Sequence, residues 1–157
     1  MSGVEGGNTF GNRASPRHLT LDTRSMPRSI LRGMERKTRQ RDAILQALRH
    51  ADRPMSPAEI WRAARKSVRD LGQATVYRTI KSLVDDGALT PVDIPGEPAR
   101  YELSGKDHHH HFHCTRCDRV FDMEGCVAKI SRLAPPGYTV ERHEVILYGR
   151  CPDCAGK

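Results

Sequence analysis

Two pairs of cysteines in the second half of the chain have the spacing of metal ligands: Cys114 with Cys117, and Cys151 with Cys154. Four thiolates around Zn²⁺ make a closed tetrahedral site, which stabilises structure and leaves no coordination position open. The long gap between the pairs indicates that a helix and strands fold between them. A dithiol redox switch is the alternative explanation. We interpret the fifth cysteine, Cys126, as a small apolar side chain, with an extra ligand or redox thiol as the alternative.

A run of histidines comes directly before the first cysteine pair, in the segment HHHHFHC. Alternate side chains of a β-strand share a face, so we expect His109, His111 and His113 on one side. His108 and His110 are expected on the other side, which predicts two separate metal sites. A polar His run that binds metals without specificity is the alternative. Further candidate ligands nearby are Glu102, Asp107, Asp122, Glu124 and His143.

Imidazole and carboxylate ligands together suit Zn²⁺, Fe²⁺, Mn²⁺, Ni²⁺ or Co²⁺, and the ligand types do not choose among these ions. Unlike a thiolate cage, such a site could bind and release its ion as the metal concentration changes. Glu102 belongs to the first predicted domain and the histidines to the second. One ion held by both halves would fix their relative orientation.

The segment ATVYRTIKSLVDDG, residues 74–87, predicts a helix that contacts DNA. Val76, Ile80 and Leu83 recur at helical spacing and should face a core. Tyr77 and Arg78 then point outward near the N-terminal end, which helix-turn-helix proteins present to the major groove. An amphipathic helix with ordinary solvated charges is the alternative. The residues predicted to contact DNA are Thr75, Tyr77, Arg78 and Lys81, with Arg39 and Arg41 from an earlier helix.

The composition favours a nucleic-acid-binding protein. The formal net charge is +7 over 157 residues, which suits nucleic acid or an anionic membrane surface, although an ordinary basic soluble protein would also show it. No apolar run is long enough to cross a membrane, and no apolar stretch typical of a secretory signal is found at the N-terminus. We therefore predict a cytoplasmic protein. Aromatic residues make up only 5%, so a bound metal would help to stabilise small cores.

The N-terminal part shows the element order of a winged helix. A disordered tail rich in Gly, Ser, Arg and Asn comes first, and three helices and a two-stranded hairpin follow. Ser56 and Glu59 predict a capping box for the second helix, with Pro57 at its first position. Gly87 should end the third helix in the left-handed conformation. The helices are predicted over 30–49, 56–68 and 73–86, and the strands over 88–94 and 99–104.

The C-terminal part predicts a small α+β domain stabilised by metal. Three strands flank one helix, and a cysteine pair lies near each end. The strands are predicted over 110–114, 119–123 and 139–149, and the helix over 125–134. The predicted domains are a disordered tail at 1–26, a winged-helix DNA-binding domain at 27–104 and a metal-binding dimerisation domain at 105–157.

The joint order of these motifs resembles the ferric uptake regulator family of metal-responsive repressors. The resemblance covers about residues 35–155 and rests on ATVYRTIKSLVDDG, RYEL, HHHHFHCTRCDRVFD, HEVILYGRC and the closing CPDC. It implies a winged helix, an α+β dimerisation domain, and a homodimer that represses from a palindromic operator when metal is bound. It also implies a structural Zn²⁺ and a second, regulatory divalent ion, for which we favour Zn²⁺ or Fe²⁺.

By motif position, the resemblance implies three metal sites. The structural zinc ligands are Cys114, Cys117, Cys151 and Cys154. The regulatory ligands are Glu102, His109, His111 and Asp122. A further site consists of His108, His110 and His143.

The sequence departs from the family pattern at three places. Pro54 stands where many iron and peroxide sensors have a histidine, so the regulatory site should lack one ligand or use another. Lys129 replaces a family glutamate, and its positive charge disfavours metal at the further site. No cysteine near the wing matches the regulatory ligand of many zinc sensors, which leaves the identity of the sensed ion open.

The motifs do not predict an enzyme. An H-E-x-x-H zinc site is absent, because Leu147 occupies the position where His143 and Glu144 would need a second histidine. The deaminase signature is absent as well. A metal storage or delivery protein would explain the histidines but not the helix with Tyr77 and Arg78. A constitutive DNA-binding protein that uses zinc only for structure is the other alternative.

Overall fold

The computed structural model describes residues 27–126 and 130–156. The predicted tail at 1–26 and Lys129 lie outside these ranges. Among the described residues, no helix has both the length and the apolar character needed to cross a bilayer. The elements are α1 (Arg28–Ala51), α2 (Pro57–Ala64), α3 (Gln73–Asp85), β1 (Leu89–Val92), β2 (Arg100–Leu103), β3 (His110–Cys114), β4 (Val120–Met123), a 3-10 helix (Ile130–Leu133), β5 (Ile146–Gly149) and α4 (Pro152–Ala155).

Helix α2 begins with the predicted capping box. The Ser56 hydroxyl accepts a hydrogen bond from the Glu59 N–H at 3.3 Å, and the Ser56 N–H donates to Glu59 Oε2 at 2.9 Å. These bonds satisfy backbone donors that have no partner inside the helix. The helix ends earlier than predicted, because a turn after Ala64 brings Val68 and Leu71 into the core.

The three helices and the β1–β2 hairpin share one apolar core. Ile44, Ile60, Val76 and Leu83 are fully buried in it, which accounts for the amphipathic pattern of each helix. Gly87 has a φ of 70° after α3, as predicted, and the chain then enters β1. The antiparallel hairpin pairs Leu89 with Leu103, and this arrangement is the expected winged helix.

The second sheet has the order β4-β3-β5, with β3 antiparallel to β4 and parallel to β5. Strand β5 is shorter than predicted, because only its last residues lie opposite β3. Gly149 is required there, since an added Cβ would lie 3.0 Å from the Phe112 ring. Part of the predicted helix at 125–134 is a 3-10 helix, and residues 127–129 lie outside the described ranges.

The two halves of the chain meet in a small apolar cluster. Val92, the last residue of β1, and Ile94, just after it, pack against Val120 at the start of β4. All three side chains are buried. The division of the chain at residues 104 and 105 stays a prediction, and the apolar contact shows that the segments on either side of it pack together.

A buried arginine links the same two halves. Arg100 is 2% exposed, and it donates to Glu59 Oε2 at 3.1 Å and to Asp118 Oδ1 at 2.7 Å. Asp118 belongs to the turn of the first cysteine pair, where it has a φ of 58°. His113 Nε2 donates to the same carboxylate oxygen at 2.8 Å. The guanidinium therefore ties α2 to the cysteine turn through two charge-assisted hydrogen bonds.

Replacing Arg100 with alanine should destabilise the protein by about 3 kcal/mol, because it leaves the Glu59 carboxylate without one of its buried cationic partners. Arg36→Ala is the matched control, since it removes an arginine from an exposed ion pair with Asp70. We expect the control to cost less than about 1 kcal/mol. Urea unfolding of the zinc-loaded proteins measures both values, and equal losses would contradict the linking role of Arg100.

Candidate metal centres and DNA-binding surface

The four predicted zinc ligands converge at one end of the second sheet. The parallel pairing of β3 with β5 sets Cys114 opposite Gly149, so the two cysteine pairs lie side by side. Their sulfur atoms all lie within 4.8 Å of one another. A tetrahedron with metal–sulfur bonds of about 2.3 Å has edges of about 3.8 Å, and Cys117 Sγ lies 3.8 Å from Cys151 Sγ. The arrangement fits a tetrathiolate Zn²⁺ site.

The electrostatics of the four thiols also favour a bound cation. The Cys151 N–H lies 3.3 Å from Cys114 Sγ and lowers the pKa of Cys114 to about 6. Arg119 Nε donates to Cys117 Sγ and lowers the pKa of that thiol. Burial and the neighbouring thiols raise the pKa of Cys154 to about 12. Four adjacent thiolates repel one another, and a divalent ion among them removes that cost.

The predicted regulatory ligands also converge, from both halves of the chain. Glu102 comes from β2 in the wing, and the others come from β3, β4 and the residue just before β3. Their ligand atoms lie within 4.8 Å of one another. His109 Nε2 lies 3.2 Å from Glu102 Oε2. His111 Nε2 and Asp122 Oδ1 are buried and 3.9 Å apart, and neither has a hydrogen-bond partner among the described residues.

The His109 ring is oriented as a metal ligand should be. Its Nδ1 donates to the Asp107 carbonyl at 2.7 Å, which places the proton on Nδ1 and directs Nε2 toward Glu102. Burial disfavours the His109 imidazolium, but the Asp107 carbonyl, Glu102 and Asp122 outweigh burial and raise its pKa. Burial lowers the pKa of His111, so that its imidazole is neutral and available to bind a cation.

Lys106 is a member of this centre that the sequence analysis missed. Its ammonium group donates to Asp122 and lies 3.4 Å from Glu102 Oε2 and 3.8 Å from Asp52 Oδ1. Burial opposes its charge, but Asp122 and Glu102 outweigh burial and raise the pKa of Lys106. Its position in the sequence, between the predicted ligands Glu102 and His109, could have indicated that Lys106 lies in this centre. A divalent ion in this centre must share or replace the contacts of Lys106.

The predicted further site has a fourth member. His108 Nε2 lies 3.1 Å from His143 Nε2, which lies 3.0 Å from Cys126 Sγ. These groups and His110 bring their ligand atoms within 4.8 Å of one another. Cys126 is exposed, so its interpretation as an apolar core residue is wrong.

Three other candidates take different positions. Asp107 contributes its carbonyl rather than its carboxylate to the regulatory centre. His113 contacts Asp118 and packs against Tyr148, so it belongs to neither histidine cluster. Glu124 is not a member of any of the three ligand groups found among residues 27–126 and 130–156.

Helix α3 presents the predicted DNA-contacting residues at the surface. Tyr77 is 59% exposed, and Arg78 and Lys81 are also exposed. The N-cap residue Gly72 supplies no side-chain hydrogen bond, so the first backbone N–H groups of α3 are available to a phosphate. Lys81 pairs with Asp85 at 3.3 Å on the exposed face.

A basic groove of about 910 Å³ runs between α1 and α3. Thr75 and Arg78 line it from α3, and Arg41 lines it from α1, where its guanidinium pairs with Asp86. Arg39 is exposed on α1 but is not part of the groove lining. Two further cations of α1 that the predicted contact set omitted also line the groove, Arg36 and Lys37.

Comparison with known proteins identifies the family. The model of the ferric uptake regulator family matches residues 32–148. The chain belongs to the ferric uptake regulator family. Ferric uptake regulation protein of Campylobacter jejuni is 31% identical over 133 residues, which cover 81% of this chain and 85% of the relative. Transcriptional regulator FurA of Mycobacterium bovis is 32% identical over 126 residues, covering 76% of this chain and 83% of FurA.

Solved structures of family members share the fold. A zinc-bound manganese uptake regulator superposes with a TM-score of 0.63 at 26% identity, over 71% of this chain and 87% of that protein. The ferric uptake regulator of Vibrio cholerae gives a TM-score of 0.59 at 25% identity, over 76% and 98% of the two chains. The predicted α+β fold class and the predicted function of a metal-responsive transcriptional regulator are thereby confirmed.

The structure shows what replaces the family histidine near the regulatory centre. Pro54, which stands in place of a family histidine, is buried and offers no ligand side chain. The segment just before it approaches the regulatory centre through Asp52, whose carboxylate lies near Lys106. The N-terminal helices thus contact this centre through an ion pair with Lys106.

Replacing Cys114 with serine should remove the chelator-resistant zinc, from about one ion per chain to nearly none, because it breaks the tetrathiolate. The urea midpoint should fall as well, since both cysteine pairs lose their cross-link. Zinc analysis after treatment with EDTA measures the loss. Cys126→Ser is the matched control and should keep its resistant zinc. A zinc-replete Cys114→Ser protein would contradict the assignment.

Proposed function

We propose that this family member is a metal-dependent transcriptional repressor that binds palindromic operators as a homodimer. The observation that carries the proposal is the regulatory centre, in which Glu102 of the wing meets His109, His111 and Asp122 of the second half. Orphaned buried ligand atoms on His111 and Asp122 support its assignment to a cation. The relatives named as ferric uptake regulation proteins support the same function.

The regulatory centre couples metal to DNA through the position of the wing. A divalent ion supplies the charge that lets the Glu102 and Asp122 carboxylates approach each other closely. Glu102 then holds β2 against His109 and His111, which fixes the winged helix relative to the second sheet. In a dimer, this orientation sets the distance between two α3 helices on successive half-sites. A coupling of about 1–3 kcal/mol changes operator affinity roughly 5- to 150-fold.

Two cofactors follow from the two ligand sets. The tetrathiolate suits a structural Zn²⁺ that is not released during regulation. The mixed imidazole and carboxylate centre suits an exchangeable Zn²⁺ or Fe²⁺. We therefore assign the structural zinc to Cys114, Cys117, Cys151 and Cys154, and the sensed ion to Glu102, His109, His111 and Asp122.

The proposed partners are operator DNA and a second copy of the chain. DNA contacts are assigned to Thr75, Tyr77, Arg78 and Lys81 on α3 and to Arg39 and Arg41 on α1. Strand β5 is an edge of its sheet, and it exposes Leu147 and Tyr148. Leu133 is 83% exposed, and exposed apolar side chains beside a free strand edge favour a dimer interface. A regulator that acts on chromosomal operators works in the cytoplasm.

One observation favours a constitutive DNA-binding protein as the second candidate. The Lys106 ammonium pairs with both Glu102 and Asp122, so the wing could be held in place without an exchangeable ion. Binding to the promoter DNA next to the gene that encodes this protein, measured with and without exchangeable metal, distinguishes the two functions. A repressor binds it more tightly once the exchangeable metal is restored, whereas a constitutive protein binds it equally with and without that metal.

Replacing His109 and His111 with alanine should abolish the metal-dependent gain in operator affinity, roughly 5- to 150-fold in the native protein, because the centre loses both imidazoles. Fluorescence anisotropy on promoter DNA, with and without Zn²⁺ or Fe²⁺, measures the gain. His50→Ala, which removes an exposed imidazole from α1, is the control. A gain that survives in the double variant would place metal sensing elsewhere.

Replacing Arg78 with alanine should weaken operator binding by about 1–3 kcal/mol, because a guanidinium at the start of α3 no longer reaches a base or phosphate. The same anisotropy assay measures the change with the regulatory metal present. Arg142→Ala removes an equal charge from an exposed site in the second half and should leave affinity nearly unchanged. If both substitutions weaken binding equally, Arg78 contributes only to the net charge of the protein and makes no specific contact with DNA.

A further inference from the structure

The cluster formed by His108, His110, Cys126 and His143 lies on the face of β3 opposite the regulatory centre. Three separate segments supply its members: the start of β3, the turn after β4 and the approach to β5. In a tetrahedral site with nitrogen and sulfur ligands, ligand atoms lie about 3.3–3.8 Å apart. The observed separations include 3.0 Å and 3.1 Å, and all ligand atoms lie within 4.8 Å. Small side-chain rotations would make this set tetrahedral.

His110 shows that the cluster is built for a ligand. Its side chain is 3% exposed, and neither ring nitrogen has a hydrogen-bond partner among the described residues. A buried imidazole without partners is costly in a folded protein. The rings of His108 and His143 lie 4.6 Å and 5.1 Å from the His110 ring, and they leave its nitrogens unsatisfied. A cation between these rings would satisfy His110.

We propose that the Cys126 thiolate completes a His₃Cys site that binds a borderline ion, Zn²⁺ or Co²⁺, in preference to Fe²⁺ or Mn²⁺. A thiolate and three imidazoles are softer ligands than the two carboxylates and two imidazoles of the regulatory centre. Binding releases the thiol proton to solvent and forms a metal–sulfur bond. The two faces of β3 therefore hold sites with different metal preferences. This site goes beyond the proposed repressor function, because it does not depend on DNA binding.

The site would fix the segment between β4 and β5 to the sheet. Cys126 begins this segment and His143 lies near its end, while His110 belongs to the central strand and His108 lies two residues before it. Of the described residues of this segment, Leu133 and Tyr138 are large apolar side chains that are exposed. An ion held by both of its ends would replace the cross-linking that an apolar core supplies elsewhere.

Cobalt titration of the full-length protein with its resistant zinc retained tests the proposal. A thiolate bound to Co²⁺ gives a sulfur-to-metal charge-transfer band in the near ultraviolet, and the regulatory centre contains no sulfur. We expect this band in the native protein and its loss in Cys126→Ser. Cobalt should also bind at the cluster roughly 10-fold or more weakly, since a lost ligand costs at least as much as a lost supporting partner.

The His109→Ala, His111→Ala double variant separates this proposal from the proposed function. It lacks the regulatory imidazoles, so a charge-transfer band that persists in it belongs to the Cys126 cluster, whatever happens to DNA binding. Zinc released during the titration is measured in parallel, because cobalt that replaces it in the tetrathiolate gives a similar band. A band that is absent from the native protein, or equally strong in Cys126→Ser, would overturn the proposal.

Discussion

All three metal-ligand clusters depend on the position of strand β3 in the middle of its sheet. Its alternating side chains send His111 to the regulatory centre and His110 to the opposite cluster, while Cys114 ends the strand in the tetrathiolate. Strand β4 supplies Asp122 on one side, and β5 leads into the second cysteine pair on the other. A shift of one residue in the pairing of β3 would exchange its two faces and dismantle all three clusters together.

Two positively charged side chains, Arg100 and Lys106, join the two halves of the chain, and they differ in how firmly they are held. Arg100 is buried between Glu59 and Asp118, so its link between α2 and the cysteine turn is a fixed part of the fold. The link at Glu102 and Asp122 uses Lys106, a partly buried amine whose contacts a bound ion would have to share or replace. Regulation by metal therefore requires only a local exchange of positive charge at the wing, while the arginine holds the halves together.

The three clusters that share β3 differ in ligand chemistry. Four thiolates suit a permanent zinc ion, two carboxylates with two imidazoles suit an exchangeable one, and three imidazoles with one thiolate fall between these cases. The basic groove between α1 and α3 lies in the other half of the chain, and the wing is the element that connects it to this strand.

The sequence by itself determined what depends on short-range order. Helical spacing placed Tyr77 and Arg78 on the outer face of α3, Ser56 and Glu59 formed the capping box, and strand alternation separated the two histidine faces. The spacing of the two cysteine pairs predicted the tetrathiolate, and the family resemblance supplied the full regulatory set. Only the tertiary structure decided the partners of Lys106, Arg100 and Cys126. Those contacts join segments far apart in the chain, and their geometry follows from how the wing and the β4–β5 segment pack against β3, which local periodicity does not encode.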